Sequence, residues 1–285
     1  MAGTAVLSSP LAWRAPRAAG HDAGGFEAPP HVPGYRLLRP VGRGRRTQAW
    51  LAWDAARRTD VVLKLEAAPG AALQREAAAA ARARGPRLVR VLGQGRDAHW
   101  TWLVLEHLPG GDLAQRLGAP LARAQALALL AQAAEALAGL HRIGLVHRDV
   151  KPANFLLRAS GELVLADFGL AAECGEAGTE LAQGALAGTP RYVAPEQLEG
   201  ARATPAADVY SLGVLLHEML CGRPPFPGET LMEVLAQHLL AEPARLPEEL
   251  SDLQLLADRM LCKDPQGRLP DADAVLGLMG QRCWK

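Results

Sequence analysis

The sequence predicts an α+β chain of two lobes: a small antiparallel sheet with one helix, then a larger, mainly helical unit. Three observations predict it. Short apolar runs of strand length crowd the first third of the chain. A Pro109-Gly110-Gly111 break ends them. Beyond it lie long stretches rich in Ala and Leu, the composition of helices. At 285 residues, 49% hydrophobic and net charge +1, the chain has enough apolar surface for such a core and is neither disordered nor collagen-like.

Residues 1–33 are rich in Ala, Gly and Pro, show no period, and are expected to form a flexible tail. The first lobe is expected over 34–108. Residues 35–41 and 48–53 are extended runs around the Gly/Arg-rich 42–47, which suggests a hairpin. Residues 61–65 suit a buried strand, and 73–84, Ala-rich without Gly or Pro, suit a helix. Two more strands are expected at 88–92 and 100–105. The second lobe is expected over 109–285. Its long helix at 121–142 places Leu127, Leu130, Ala134, Leu137 and His141 on one face. Further helices are expected at 208–220, 231–240, 253–261 and 272–279.

Composition excludes several functions. A net charge of +1 gives no electrostatic case for nucleic acid as a partner. The four cysteines, Cys174, Cys221, Cys262 and Cys283, lack metal-site spacing and read as reduced thiols of a cytoplasmic protein. No apolar run spans a bilayer, and the first 20 residues lack the basic start of a secretory signal. The bias within the composition is informative. Alanine is roughly a fifth of the chain, well above average usage. The only lysines are Lys64, Lys151, Lys263 and Lys285, the only asparagine is Asn154, and the only isoleucine is Ile143. In a chain that uses Arg almost everywhere, a retained Lys or Asn is left either by chance or because the chemistry needs it.

Gly42-Arg43-Gly44 sits at a strand–strand turn, where glycines let backbone N–H groups approach a phosphate. Lys64 lies within the apolar Val61-Val62-Leu63, so its charge needs a partner, and Glu76 on the following helix is the natural one. The strongest signal is His147-Arg148-Asp149-Val150-Lys151-Pro152-Ala153-Asn154, followed 13 residues after Asn154 by Asp167-Phe168-Gly169. Phosphorylating a hydroxyl requires these types: a carboxylate for the nucleophile, a cation on the γ-phosphate, and oxygen ligands for Mg²⁺.

In this ordered set, from about Gly34 to Arg268, the chain resembles the protein kinase family of serine/threonine type, bacterial eukaryotic-like kinases above all. The resemblance implies a two-lobed kinase fold and the cofactors ATP and Mg²⁺. It implies that Gly42 and Gly44 belong to the loop over ATP, and that Lys64, paired with Glu76, touches the α/β-phosphates. Val41, Ala49, Val62 and Leu156 join the nucleotide-binding set. Glu106 and Leu108 offer backbone groups to adenine, with Leu105 as gatekeeper, and Asp112 falls at the ribose position. Asp149 is the catalytic base, Lys151 contacts the γ-phosphate, and Asn154 and Asp167 bind Mg²⁺. Ala194-Pro195-Glu196 matches the segment closing the activation loop, with Arg268 as the partner of Glu196 and Asp208 steadying the catalytic loop. Lys151 and Gly188-Thr189-Pro190 are similar to serine/threonine rather than tyrosine kinases.

The chain departs from the family pattern at Thr47, where a third loop glycine is usual, at Ala49 and Val62 around adenine, and at Ala80, a small residue that leaves room under the helix of Glu76. None removes a phosphate or metal ligand. Arg148 beside the base resembles kinases in which a loop phosphate pairs with that Arg, so Thr179, the only hydroxyl residue between Phe168 and Gly188, is the candidate for autophosphorylation through a transient dimer; the competing reading is that Glu176 or Glu180 supplies the anion. The expected function is transfer of the ATP γ-phosphoryl group to Ser/Thr hydroxyls of protein substrates, away from membranes. Two alternatives stay open: a pseudokinase or nucleotide-binding scaffold, and a small-molecule kinase. The full set Lys64, Asp149, Asn154 and Asp167 argues against the first, and Ala194-Pro195-Glu196 against the second.

Overall fold

In a computed structural model the described residues are 30–43, 47–177 and 191–281. Gly44, Thr179, Gly188-Thr189-Pro190, Cys283 and nearly all of the expected tail lie outside them.

Five strands form one antiparallel sheet: β1 (Tyr35–Arg43), β2 (Thr47–Asp54), β3 (Thr59–Ala67), β4 (Val91–Arg96) and β5 (Trp100–Glu106), in the order β1-β2-β3-β5-β4. Period-2 alternation divides β3 between two faces. Val61, Leu63 and Leu65 join Trp50, Ala52, Val104 and Val32 in one apolar layer. Val62, Lys64 and Glu66 therefore point the other way, toward α1 (Ala71–Arg82) and the second lobe. The helix begins after Gly70, whose φ of 62° and close approach to Thr101, with a built Cβ only 2.4 Å from the Thr101 Cβ, exclude a side chain. No side chain of the Gly70 position caps the helix. The buried Glu66 carboxylate does so instead, accepting from the Leu73 N–H at 2.8 Å.

The strand expected at 88–92 is displaced. Leu88 bridges Leu165 in the second lobe, and the ladder with β5 runs from Val91 through Gly93 and Gly95 to Arg96. Gly95 packs against the Trp102 indole, where a Cβ would sit 2.4 Å from the ring.

The second lobe holds α2 (Arg123–His141), α3 (Pro195–Leu198), α4 (Pro205–Cys221), α5 (Leu231–Leu240), α6 (Gln254–Leu261) and α7 (Ala272–Gln281). Short antiparallel pairs β6 (Leu145–Val146) with β9 (Ala172–Glu173), and β7 (Phe155–Leu157) with β8 (Leu163–Leu165), carry the loops of interest. The single apolar face expected of α2 is too narrow. Ala126, Leu129, Ala133, Ala136 and Ala138 are buried as well, because α4, α7 and β8 pack around the helix and small alanines permit close approach. Leu127 is only half-buried. Helix α4 starts at Pro205, three residues before the expected Asp208, since proline at the first helical position needs no N–H partner. No helix of the described residues is long and apolar enough to cross a membrane.

Candidate active site

The sheet register assembles the first part of the site. Gly42 stands opposite Ala49, Ala49 opposite Lys64, and Lys64 opposite Leu103, so one row of the sheet runs from the hairpin to the lysine. Val62, opposite Leu105, is two residues along the same face. Val41 sits at a register shift between Pro40 and Gly42, with its side chain exposed. Lys64 Nζ donates to Glu76 Oε1 at 2.5 Å and to Asp167 Oδ1 at 2.9 Å. Burial alone would push the ammonium down; the Asp167 and Glu76 carboxylates outweigh it and hold Lys64 above an ordinary lysine. Burial would likewise raise Asp167, but Lys64 keeps it below the usual carboxylate range. Ala77, Ala80, Ala81 and Ala83 line an open cleft of about 550 Å³ with Leu88 and Val91. The Lys64–Glu76 pair is nonetheless formed.

The link between the lobes follows β5. The Glu106 side chain turns to Arg158 Nη1 at 3.0 Å and the Arg90 N–H at 3.0 Å. Burial raises this carboxyl, and the two arginines more than reverse it, leaving it below its ordinary value. Leu108 is buried. Gly110 and Gly111 then exchange backbone hydrogen bonds with Leu157, and a Cβ on Gly110 would lie 2.6 Å from the Leu157 carbonyl. This close approach sets Asp112 beside Leu156. The Asp112 carboxylate accepts from the Gln115 N–H at 3.0 Å and from its side-chain amide at 3.1 Å, so it caps the short 3₁₀ turn Leu113–Arg116.

The second part is the loop after β6. Asp208, 1% exposed at the start of α4, accepts from the His147 and Arg148 N–H groups at 2.8 Å each and bonds His141 Nε2 at 3.0 Å. One buried carboxylate thus holds a loop whose Arg148 has a φ of 66°, costly for a side-chain-bearing residue. Asp149 Oδ2 accepts from Lys151 Nζ at 2.6 Å and from Asn154 Nδ2 at 2.9 Å, and Asn154 Nδ2 also donates to the Asp149 carbonyl at 2.7 Å. The Ala166 N–H donates to the Asn154 carbonyl at 2.8 Å, and His147 Nε2 bonds the Ala166 carbonyl at 3.2 Å. These two bonds bring Asp167 to the Asp149 loop. Phe168 is buried edge-on to His147, with ring centroids 5.7 Å apart. Gly169 leaves room beside Asp167, where a Cβ would come 3.2 Å from Oδ1.

Two oxygens fit a hard cation. Asn154 commits its amide nitrogen to Asp149, which leaves Oδ1, and among the described residues nothing donates to Asp167 Oδ2. Amide and carboxylate oxygen are the donors Mg²⁺ prefers. Contacts that the sequence did not reveal complete the frame. Gln197 accepts from the Ala194 N–H at 3.0 Å and donates to the Arg148 carbonyl at 3.2 Å. Arg268 meets Glu196 with two bonds, at 2.6 and 3.1 Å, as the motif implied.

Comparison with known proteins agrees with this geometry. The family model described as protein kinase domain matches residues 35–276. The chain is 38% identical over 267 residues to the serine/threonine-protein kinase PkaA of Streptomyces coelicolor, covering 86% of this chain and 49% of that protein. It is 37% identical over 259 residues to the serine/threonine-protein kinases drp72 of Corynebacterium efficiens, covering 85% and 49%. It is 37% identical over 206 residues to the serine/threonine-protein kinase PknL of Mycobacterium tuberculosis, covering 70% and 51%. The chain thus spans about half the length of these curated relatives. With the ordered motifs, the five-stranded sheet and a helical second lobe, the chain belongs to the protein kinase family.

Proposed function

We propose that the chain transfers the γ-phosphoryl group of ATP to serine or threonine hydroxyls of protein substrates. The observation that carries this is the joining of Lys64, Asp149, Asn154 and Asp167 in one hydrogen-bonded site. In this reading ATP lies between the sheet row Gly42–Ala49–Lys64 and Leu156, with Val41 and Val62 above the adenine. Backbone groups of Glu106 and Leu108 meet its edge, and Asp112 lies at the ribose. Lys64 holds the α/β-phosphates and is itself aimed by Glu76. Asn154 and Asp167 would hold Mg²⁺, which offsets phosphate charge when bound.

The acceptor hydroxyl approaches Asp149. Its Oδ2 is fixed by Lys151 and Asn154, which leaves Oδ1 to orient the hydroxyl and finally take its proton. Lys151, 2.6 Å from that carboxylate, lies where charge on the transferring group develops. The oxygen of the hydroxyl forms the new bond to phosphorus as the bond to the ADP oxygen breaks. The named relatives are serine/threonine kinases, which supports this acceptor class. Thr179 remains the candidate autophosphorylation site, met by a second copy in a transient dimer, in a protein working in the cytoplasm.

Purified protein, Mg-ATP and a generic basic protein test the proposal, beside Asp149→Asn. The expected result is phosphate transfer by the wild type and none by the variant. No transfer by the wild type overturns the reading, and leaves nucleotide binding without transfer as the alternative.

A further inference from the structure

Lys263 is one of four lysines in a chain that otherwise uses Arg, and phosphoryl transfer does not involve it. Its surroundings explain why Arg does not replace it. Nζ donates to the His238 carbonyl at 2.7 Å, the Gln237 carbonyl at 3.1 Å and the Tyr210 hydroxyl at 3.2 Å. It lies 3.9 Å from the centre of the Phe226 ring. Three acceptors and an aromatic face converge on one compact ammonium, whose three protons they match; a planar guanidinium does not fit that set.

The bonds continue in one direction. The Tyr210 hydroxyl lies 3.0 Å from His238 Nδ1, and His238 Nε2 lies 3.0 Å from the Arg191 carbonyl. A carbonyl only accepts, so Nε2 carries the proton, Nδ1 accepts, and Tyr210 donates to it while accepting from Lys263. Burial, aided by the Lys263 charge, pushes His238 down to about 4, so the ring is neutral and this tautomer is the one present at neutral pH. His238 and Tyr210 are fully buried. The chain of donors ends on the backbone of a segment reaching the catalytic loop: the Ala194 N–H bonds Gln197, and Gln197 holds the Arg148 carbonyl next to Asp149.

We propose that His238, aligned by Tyr210 and Lys263, is a positioning residue that fixes the Arg191–Ala194 segment, which Gln197 ties to the Arg148 carbonyl one residue before the proposed base Asp149, and so shapes the side from which the acceptor approaches. The proposal rests on the kinase reading for the peptide, but its geometry stands apart from the ATP site. His238 touches none of the groups around Lys64, Asp149 or Asp167, so its loss acts on acceptor binding and not on nucleotide.

The test compares His238→Leu, which removes both bonds, His238→Gln, whose amide can donate to Arg191 and accept from Tyr210, and Tyr210→Phe, a milder probe that retains the ring. In His238→Leu the KM for acceptor peptide is expected to rise about tenfold, the scale of the one hydrogen bond that anchors the Arg191 carbonyl, while the KM for ATP stays within about twofold. His238→Gln restores most of the loss and Tyr210→Phe falls between. Amide hydrogen exchange supplies a readout independent of transfer. Residues 191–197 are expected to exchange faster in His238→Leu and Tyr210→Phe, with the α4 core at 209–216 unchanged. Equal loss for peptide and ATP, an unchanged peptide KM, or unchanged exchange at 191–197 overturns the proposal. If the wild type transfers no phosphate while exchange responds as expected, the kinase reading fails and the anchoring of the segment stands.

Discussion

Lys64 and Asp167, 103 positions apart in the chain, meet at 2.9 Å across the two lobes. The same ammonium holds Glu76 of α1 at 2.5 Å. One cation therefore ties a strand, a helix and the loop before β9 together at the point where the sheet faces the second lobe. Asp167 adopts a φ of 66° to make this contact, a conformation that an L-residue keeps only when its surroundings hold it.

Replacing Lys64 leaves Glu76 and Asp167 facing each other without a cation. Lys64→Met is expected to lower phosphate transfer by at least about 100-fold, the scale of losing one preorganised charge at a reacting group. Lys64→Arg is expected to rescue poorly, because a planar fork cannot meet both carboxylates from the same strand position. Steady-state transfer assays with ATP titration check both. Activity within about twofold of wild type in Lys64→Met would place the phosphate contact elsewhere.

Asp149→Asn keeps the size of the side chain and removes its charge and proton affinity. Transfer is expected to vanish while thermal unfolding stays close to wild type, because Asp208, not Asp149, holds the loop backbone. Asp167→Ala is expected to abolish transfer and also to weaken Mg-ATP binding, measured by titration calorimetry. Retained turnover in Asp149→Asn would mean that another group accepts the proton.

Part of this site was legible because its signals are local or chemically costly. A lysine inside an apolar strand needs a partner, and Glu76 was the acid on the next helix. Asp149, Asn154 and Asp167 lie within one short stretch of ordered motif. What escaped depends on distant pieces meeting in the fold. Nothing near Glu66 in sequence shows that its carboxylate caps α1. Nothing near Gly95 in sequence shows that the Trp102 indole packs where its side chain would be. Helix α2 is buried beyond one stripe because three elements surround it, which periodicity alone cannot report. His238, Tyr210 and Lys263 come from two helices and a loop, and no spacing rule connects them.

The Arg268–Glu196 pair should dominate the stability of the second lobe's lower edge. Arg268 is buried and uses all five donors: two bonds to Glu196 and single bonds to the carbonyls of Cys262, Lys263 and Ala206. Arg268→Ala strands a buried carboxylate and three carbonyls, and is expected to cost about 3–5 kcal/mol. Arg268→Lys, with at most three donors, is expected to recover less than half. Urea unfolding measures both, and a loss below about 1 kcal/mol in Arg268→Ala would show that Glu196 finds other partners.

His238 makes the fold acid-sensitive in a defined window. Its pKa falls from 6.5 to about 4 on folding, through burial first and the Lys263 charge second. Between these values the unfolded chain binds a proton that the folded chain does not, so stability falls as the pH drops through the window. The full shift corresponds to a loss on the order of 3 kcal/mol. His238→Gln has no such titration. The stability difference between wild type and His238→Gln is therefore expected to shrink as the pH falls from 7 toward 4.5, with other titrating groups cancelling in the comparison. Urea midpoints at four or so pH values follow this directly. A difference that stays constant across the window would mean that His238 takes up its proton at the same pH folded as unfolded. Burial and the Lys263 charge would then not hold the ring neutral below pH 6.5, against the shift on which the prediction rests.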